Sequence, residues 1–458
     1  MMIDGSALSP SWGVPFAGLL VSIAAMPLVV PSFWHRHYGK VAAAWGLAFL
    51  LPFAWTFGAG AAGVELVHAL LAEYLPFIIL LTALYTVAGG IHIRGNLRGT
   101  PVLNTGLLAI GAVLASVMGT TGASMLLIRP LIRANAHRPH QVHVIVFFIF
   151  IVSNAGGALT PLGDPPLFLG FLKGVEFFWT MKNILPETLL MVGALLTMMY
   201  FVDSWFHRQE TRLSPALATP STAAEKLEAN APQRLGFDGA INFWLLGAIV
   251  FFVLLSGIWK SPVVFDVVGT HVGLPGVVRD VGLVFVALLS LRITPATVHA
   301  DNQFDWAPMA EVAKLFAGIF LTIIPVILML KAGVDGPFGA VVSAVTRTDG
   351  TPDPVMYFWV TGVLSAFLDN APTYLVFFNT AGGDAQLLMT TLAPTLAAIS
   401  AGAVFMGAMT YIGNAPNLMV KAIAESRGVR MPSFFGYMVW SCVCLLPLFV
   451  VMTLAFIR

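Results

Sequence analysis

The sequence predicts an all-α, polytopic membrane protein made of two inverted repeats of five transmembrane helices. Of its 458 residues, 58% are hydrophobic and 10% are charged, whereas a soluble domain carries about 25% charged residues to cover its core. Apolar runs of membrane-spanning length recur from end to end. Four of these runs are interrupted, and the interruptions repeat at a nearly constant spacing.

The charge balance and the cysteines exclude several classes of protein. Lys and Arg number 23 against 22 Asp and Glu, a net charge of +1, which provides no basic surface for nucleic acid. Cys442 and Cys444 fit neither a disulfide framework nor a zinc site. Because the sequence also contains no Walker A motif and no nucleophile signature, we expect neither an enzyme nor a bound cofactor.

Eight apolar runs are predicted to be single transmembrane spans, since about 20 apolar residues are needed to cross the hydrocarbon core. These runs cover residues 13–33, 42–62, 66–90, 184–206, 239–258, 276–291, 307–331 and 433–457.

The other four apolar runs are interrupted near their middles by Gly, Pro, Asn, Ser and Thr. Backbone that leaves a helix at membrane depth must be buried in protein or line a wet cavity, because lipid offers no hydrogen-bond partners. We predict that two of the runs are re-entrant hairpins and that two are broken helices. The hairpins cover residues 102–132 and 353–380, and the broken helices cover residues 142–172 and 394–422.

The interruptions repeat when the chain is aligned with itself at an offset of 249 or 250 residues. Residues 120–121 then match residues 369–370, and residues 163–166 match residues 413–416. With its hairpin entering and leaving on one side, each half has five spans, and tandem repeats of an odd number of spans must be inverted. Interrupted segments at matching positions of two repeats are typical of a secondary transporter and its midplane site.

The domain organisation follows from these repeats. The first repeat is predicted to cover residues 1–206 and the second residues 239–458, joined by a polar linker over residues 207–238. This arrangement places 16 of the 23 Lys and Arg on one side of the membrane and the other seven on the opposite side. By the positive-inside rule the first side is cytoplasmic, so the linker is expected inside and both termini outside.

Two motifs carry a family resemblance. Residues 153–166, SNAGGALTPLGDPP, resemble the SN-x-GG...GDPP broken helix of the ion-transporter superfamily, and residues 369–372, DNAP, resemble its DN-x-P hairpin. That superfamily includes NhaD-type sodium/proton antiporters, arsenite carriers, and divalent-anion and citrate carriers. The chain looks most like a bacterial group labelled both sodium:proton antiporter and citrate transporter. One departure is Thr120-Thr121, where antiporters of the superfamily often carry an Asp-Asn pair.

The resemblance implies a homodimer in a bacterial inner membrane, with a scaffold and a moving transport domain. The moving domain would contain the hairpins and the broken helices.

Polar residues of the four breaks are predicted to meet near the bilayer centre and to form the transport site. They are Thr120, Thr121, Ser124, Ser153, Asn154, Thr160, Asp164, Asp369, Asn370, Thr373, Thr410, Asn414 and Asn417. Asp164 and Asp369 are the only acids in the break motifs, and an ionisable group inside the membrane is by default a functional candidate. The alternative role for these two aspartates is to cap the half-helices that follow them.

Two kinds of substrate are compatible with this pattern. Asp164, Asp369, Asn154 and Asn414 supply hard oxygen ligands that suit a sodium ion, and sodium and protons would compete for the two carboxylates. In the alternative, helix N-termini at the breaks hold a citrate or dicarboxylate ion that moves with sodium or protons. Because the break motifs contain no Lys or Arg, we favour cation/proton exchange.

The topology is open to a direct test. Tags at both termini should be accessible from outside the inner membrane, and a tag within residues 215–232 should be accessible only from inside, as measured by protease or maleimide labelling of intact cells. A C-terminus labelled only after lysis would contradict the inverted arrangement.

Overall fold

The computed structural model describes residues 4–95, 97–213 and 236–457. Within these ranges the protein is mostly helical. The helices are α1 Val14–Val29, α2 Pro31–Phe57, α3 Ala59–His68, α4 Leu75–Gly89, α5 Pro101–Asn135, α6 Val142–Ile151, α7 Pro165–Leu172, α8 Trp179–Leu213, α9 Ile241–Ile258, α10 Leu274–Ile293, α11 Ala296–Asp301, α12 Ala307–Thr322, α13 Ile324–Lys331, α14 Gly339–Ala344, α15 Pro354–Phe367, α16 Asn370–Thr380, α17 Ala385–Met389, α18 Ala393–Met406, α19 Ala415–Ser426 and α20 Phe434–Phe456.

Two short antiparallel ladders complete the secondary structure of this part of the chain. Strand β1 (His92–Arg94) pairs with β2 (Gly236–Asp238), and β3 (Val264–Val267) pairs with β4 (Thr270–Gly273). The first ladder connects the end of the α4 segment to the start of α9.

The number of apolar helices confirms the predicted class, an all-α multi-pass membrane protein. In the ranges given above, nine helices are long and apolar enough to cross a membrane, and a tenth span results if the bent pair α12 and α13 counts as one.

Some boundaries differ from those predicted. Helix α2 begins at Pro31 rather than near residue 42, because the polar stretch after Pro31 is helical too. It ends at Phe57 rather than near residue 62, since Gly58 has a φ of 92°, a conformation that ends a right-handed helix and that glycine adopts without cost. Helix α8 continues to Leu213, past the predicted start of the linker, and residues 214–235 of that linker lie outside the described ranges.

Two prolines distort the helices that contain them. A π-helical segment, Ala69–Tyr74, precedes Pro76 in α4, and a bend of 41° separates α12 from α13, which has Pro325 in its first turn. Proline has no N–H to donate and its ring clashes with the preceding turn. Pro76 and Pro325 lie 249 residues apart, the offset at which the two halves of the sequence align, so the two distortions occur at matching positions.

Helix α5 is folded back on itself at Gly119, where φ is 81° and ψ is 151°. A methyl group on Gly111 of the first arm would lie 2.9 Å from the Leu127 side chain of the second arm, although a straight helix would separate these residues by about 24 Å. Helices α15 and α16 lie side by side in the same way, with the rings of Tyr357 and Phe377 6.2 Å apart.

The helices pack in two groups that share one large apolar core. In the first group, α2 packs on α1 and α12, and α10 packs on α4 and α9. In the second group, the folded helix α5, α6, α7, α15, α16, α18 and α19 pack on one another and on α8 and α20. Helix α4 of the first group packs against α5 of the second, so the breaks lie next to the contact between the groups.

A buried ionic network joins α5, α6 and α8 at one end of the second group. Asp203 is fully buried and lies 2.6 Å from the Arg138 guanidinium. It also accepts hydrogen bonds from Asn104 Nδ2 at 2.8 Å and His143 Nε2 at 2.9 Å. Arg138 Nε donates to Glu210 at 2.9 Å. The network thus ties the start and the end of the folded helix α5, which lie side by side, to helices α6 and α8.

Replacing Asp203 should therefore destabilise the fold. We expect Asp203→Asn to cost about 3 kcal/mol, because it removes one of the two carboxylates that compensate the buried Arg138 charge. The melting temperature of the detergent-solubilised protein measures this loss. Asp349→Asn, a change of the same chemistry in an exposed loop, is the control and should leave the melting temperature unchanged. Equal melting temperatures for the two variants would show that the network does not stabilise the fold.

Candidate functional site

The site begins at the fold in α5. At Gly119 a side chain would be strained by the positive φ and would meet the Leu162 carbonyl oxygen at 3.3 Å. The fold turns the next residue towards the first broken helix, so that Thr120 N donates to Gly163 O at 2.8 Å. Glycine at this position is thus required both by conformation and by the close approach of the two elements.

The first broken helix is held open by contacts between unwound segments. Between α6 and α7 the chain forms a short 3-10 turn, Ala155–Leu159. The Thr160 hydroxyl then donates to Ser116 O of α5. A methyl group on Gly163 would lie 2.1 Å from Gly157 O, so the two stretches of backbone can approach only as glycines.

The second half repeats this arrangement 250 residues later. The Thr410 hydroxyl donates to Ala366 O, and Gly413 packs against Gly407 O. Asn414 precedes α19 with φ −152° and ψ 137°, close to the φ −141° and ψ 142° of Asp164 before α7. The matching positions thus share backbone conformation and side-chain bonding although most residues differ.

Asp164 lies where these elements meet. It is 1% exposed, and its Oδ1 accepts hydrogen bonds from Thr120 Oγ1 at 3.0 Å and Asn414 Nδ2 at 3.1 Å. Its Oδ2 accepts from Asn370 Nδ2 at 2.6 Å. All three donors are neutral, and each comes from a different break. The side chain makes no capping bond to α7, so capping does not explain an aspartate here.

Asp369 has a different environment. It precedes α16, and its Oδ1 accepts from Ala371 N at 3.0 Å, which is a helix-capping bond. The residue is only partly buried, and it lines the same cavity as Asp164. Asp369 therefore caps a helix and also presents a carboxylate to the cavity.

A cavity of about 90 Å³ lies against both aspartates, room for several water molecules. The predicted site residues on its wall are Thr120, Thr121, Asp164, Asp369, Asn370 and Asn414. The rest of the wall is apolar or aromatic apart from backbone and includes Leu84, Tyr85, Phe168, Met309, Phe316 and Met419. Within the part of the chain that the structure describes, no Lys, Arg or His lines this cavity.

One wall atom lacks a partner. Asn370 Oδ1 is buried and accepts no hydrogen bond from any residue in the described ranges. An unpaired buried acceptor costs about 1–3 kcal/mol. Since Asn370 Nδ2 is already bonded to Asp164, the free oxygen is available to a cation or to the hydrogen of a water molecule.

The seven other predicted site residues do not line the cavity but hold its wall in place. They are Ser124, Ser153, Asn154, Thr160, Thr373, Thr410 and Asn417. Ser124 and Ser153 share a hydrogen bond of 2.8 Å between their hydroxyls. Asn154 Nδ2 donates to Asn417 Oδ1 at 2.7 Å, and Asn154 Oδ1 accepts from Asn414 at 3.3 Å. Both ends of the Asn154 amide are therefore bonded behind the wall and are not presented to the cavity.

The apolar wall was not identified from the sequence. Tyr85, Met309 and Met419 come from three separate helices, and their residue types are ordinary in membrane spans. Tyr85 is fixed by its hydroxyl, which donates to Asp305 O at 2.6 Å. No local signal distinguishes these residues from lipid-facing ones.

The site has no multidentate metal cluster in the described ranges, where no group of three or more His, Cys, Asp or Glu is arranged to hold a metal ion. Two carboxylates with amide and hydroxyl oxygens line the cavity, and oxygen donors of these kinds are the ligands that hard cations prefer.

Comparison with known proteins places this geometry in context. A family model described as “Putative citrate transport” matches residues 5–457. The match includes both folded hairpins and both broken helices. No curated protein matches the chain.

Proposed function

We propose that this chain, which belongs to the “Putative citrate transport” family, is a secondary active transporter that exchanges sodium ions for protons by alternating access. Its apolar helices make it a multi-pass membrane protein. In this proposal it is a carrier, not an enzyme, and needs no cofactor, and sodium is its substrate.

The observation that carries the proposal is the polarity of the cavity wall. Two carboxylates and the unpaired Asn370 Oδ1 face a cavity that no described Lys or Arg reaches. The three neutral donors to Asp164 orient its charge but do not neutralise it. A sodium ion or a proton supplies the missing positive charge. We assign Asp164, Asp369, Asn370 and Asn414 as the residues that hold or orient the ion.

Exchange requires only that sodium ions and protons compete for the same carboxylates. A protonated carboxylate is a poor sodium ligand, so a site that alternates between the two sides and binds one cation at a time couples the two gradients. No separate coupling device is needed.

The proposed framework is a pair of inverted repeats, residues 1–206 and 239–458, joined by the linker 207–238. Bonds that recur 250 residues apart, from Thr160 to Ser116 O and from Thr410 to Ala366 O, support it. The charge bias of the sequence supports cytoplasmic placement of the linker and external placement of both termini in a bacterial inner membrane. We further propose a homodimer in which the second helix group moves against the first.

The second candidate function is sodium- or proton-coupled transport of citrate or a dicarboxylate. The family description favours it. Helices α7, α16 and α19 also begin at the cavity, and helix N-termini attract carboxylates. The two wall carboxylates oppose it, because they repel a multivalent anion.

Proteoliposomes that contain an internal pH dye separate the two candidates. An imposed sodium gradient should move protons in the opposite direction without any carboxylate present, and lithium and potassium are tested in parallel. A citrate carrier would instead accumulate labelled citrate and would move no protons with sodium alone. Absence of cation-driven proton movement between about pH 6 and 9 would overturn the exchange mechanism.

The carboxylates are tested by Asp369→Asn. Asparagine caps a helix as well as aspartate does, so we expect unchanged expression and melting temperature but loss of exchange. Asp164→Asn should also abolish exchange.

The matched control is Asp384→Asn, because Asp384 caps the exposed helix α17 through Gln386 N at 2.8 Å and lies outside the cavity wall. This control should retain full activity. Wild-type exchange in both the Asp164 and Asp369 variants would show that neither carboxylate binds the ion.

A further inference from the structure

Arg129 is a buried cation without an ion-pair partner among the described residues. It lies in the second arm of α5 and is 9% exposed. Its Nε and Nη1 atoms are buried, and neither donates a hydrogen bond to any residue in the described ranges. Burying an unpaired charged donor is costly, so such groups normally have a partner. None of the described residues forms an ion pair with Arg129.

Two further arginines lie near Arg129. Arg133 is one helical turn further along α5, and Arg427 follows the end of α19, a helix that packs against α5. Arg427 lies close enough for its charge to influence both other guanidinium groups. Arg129 therefore has a like charge nearby and no ion pair with any described residue.

The arginine cluster, meaning Arg129, Arg133 and Arg427, begins near the apolar part of the cavity wall. Met125 precedes Arg129 by one turn on the same face of α5. Met125 packs with Tyr85 and Met309, which line the cavity. Arg129 therefore lies one helical turn from a residue that packs on the wall of the site described above.

Asp301 and Asp305 are acids close to the helices around the cluster. Both are exposed, as are Arg133 and Arg427, and within the described residues neither acid forms an ion pair with any arginine of the cluster. Arg133 Nη2 donates to Ile93 O at 2.9 Å, a neutral acceptor. Arg129 is thus the buried member of the cluster.

We propose that Arg129, with Arg133 and Arg427, binds an oxyanion beside the cavity, either a carboxylate or a phosphate group. A guanidinium presents planar, paired donors that match both kinds of anion. The anion would supply the acceptors that Nε and Nη1 lack. The site is separate from the two aspartates and does not depend on which cation is exchanged. Its anion comes from a soluble carboxylate or from a lipid headgroup.

The test measures anion binding by the purified full-length protein in detergent. Melting temperature is titrated with potassium citrate and, separately, potassium phosphate, against potassium chloride at matched ionic strength and without sodium. We expect citrate or phosphate to raise the melting temperature of the wild type. In Arg129→Gln the apparent Kd should be at least about tenfold weaker, because charge-assisted hydrogen bonds are lost.

The matched control is Arg292→Gln, an exposed arginine at the end of α10, which should bind like the wild type. Without added anion, Arg129→Gln should melt no lower than the wild type, because none of the described residues pairs with the Arg129 charge. If that variant does not fold, Arg427→Gln takes its place, and it should also weaken anion binding severalfold.

A separate measurement tests whether the bound anion is a lipid headgroup. Native mass spectrometry of protein extracted in mild detergent should then show bound anionic phospholipid in the wild type and in Arg292→Gln, and less of it in Arg129→Gln. The proposal is overturned if neither soluble anions nor anionic phospholipid distinguish the Arg129 and Arg427 variants from the wild type. Sodium-driven proton movement in the same variants is measured separately, so failure of the anion site does not bear on the exchange mechanism.

Discussion

Unwound backbone inside an apolar body must find its hydrogen-bond partners within the protein, and the site depends on how this chain provides them. The Thr160 and Thr410 hydroxyls bind carbonyl oxygens of the neighbouring hairpins. Asn417 Nδ2 donates to Gly407 O and Thr410 O, both at 2.9 Å. Since lipid cannot take over these bonds, the four breaks are stable only when packed against one another. Bringing them together also brings the donors of three breaks to Asp164.

The packing of the four breaks also leaves the negative charge of Asp164 without a positive partner among the groups that bind it. The groups that bind Asp164 are amides and a hydroxyl, which satisfy the oxygen lone pairs without carrying positive charge. In the proposed mechanism an external cation compensates ionised Asp164 or a proton neutralises it, whereas an arginine at the same place would supply a permanent, internal positive charge. Asp203 shows the contrast, because Arg138 compensates its charge within the protein.

The class of the protein and the places where its helices break could be predicted from the sequence, because glycine, proline and apolar length act locally. Gly119 and Asp164 belong to motifs that the sequence displays directly. The partners of these residues could not be predicted in the same way. That Asn154 bonds behind the cavity wall, and that Arg129 lacks a described partner, depend on contacts between residues far apart in the chain. The end of α2 at Gly58 was missed because a glycine within an apolar run need not break a helix.

If sodium and protons share the carboxylates of one site, as we propose, proton release on ion binding is the most direct test. Purified protein in weakly buffered detergent solution is mixed with sodium chloride or choline chloride, and the change in pH is followed while radioactive sodium measures binding. We expect sodium, but not choline, to release protons in proportion to the ion bound, and the double variant Asp164→Asn/Asp369→Asn neither to bind sodium nor to release protons. Sodium binding without proton release, or equal release from the double variant, would contradict this proposal.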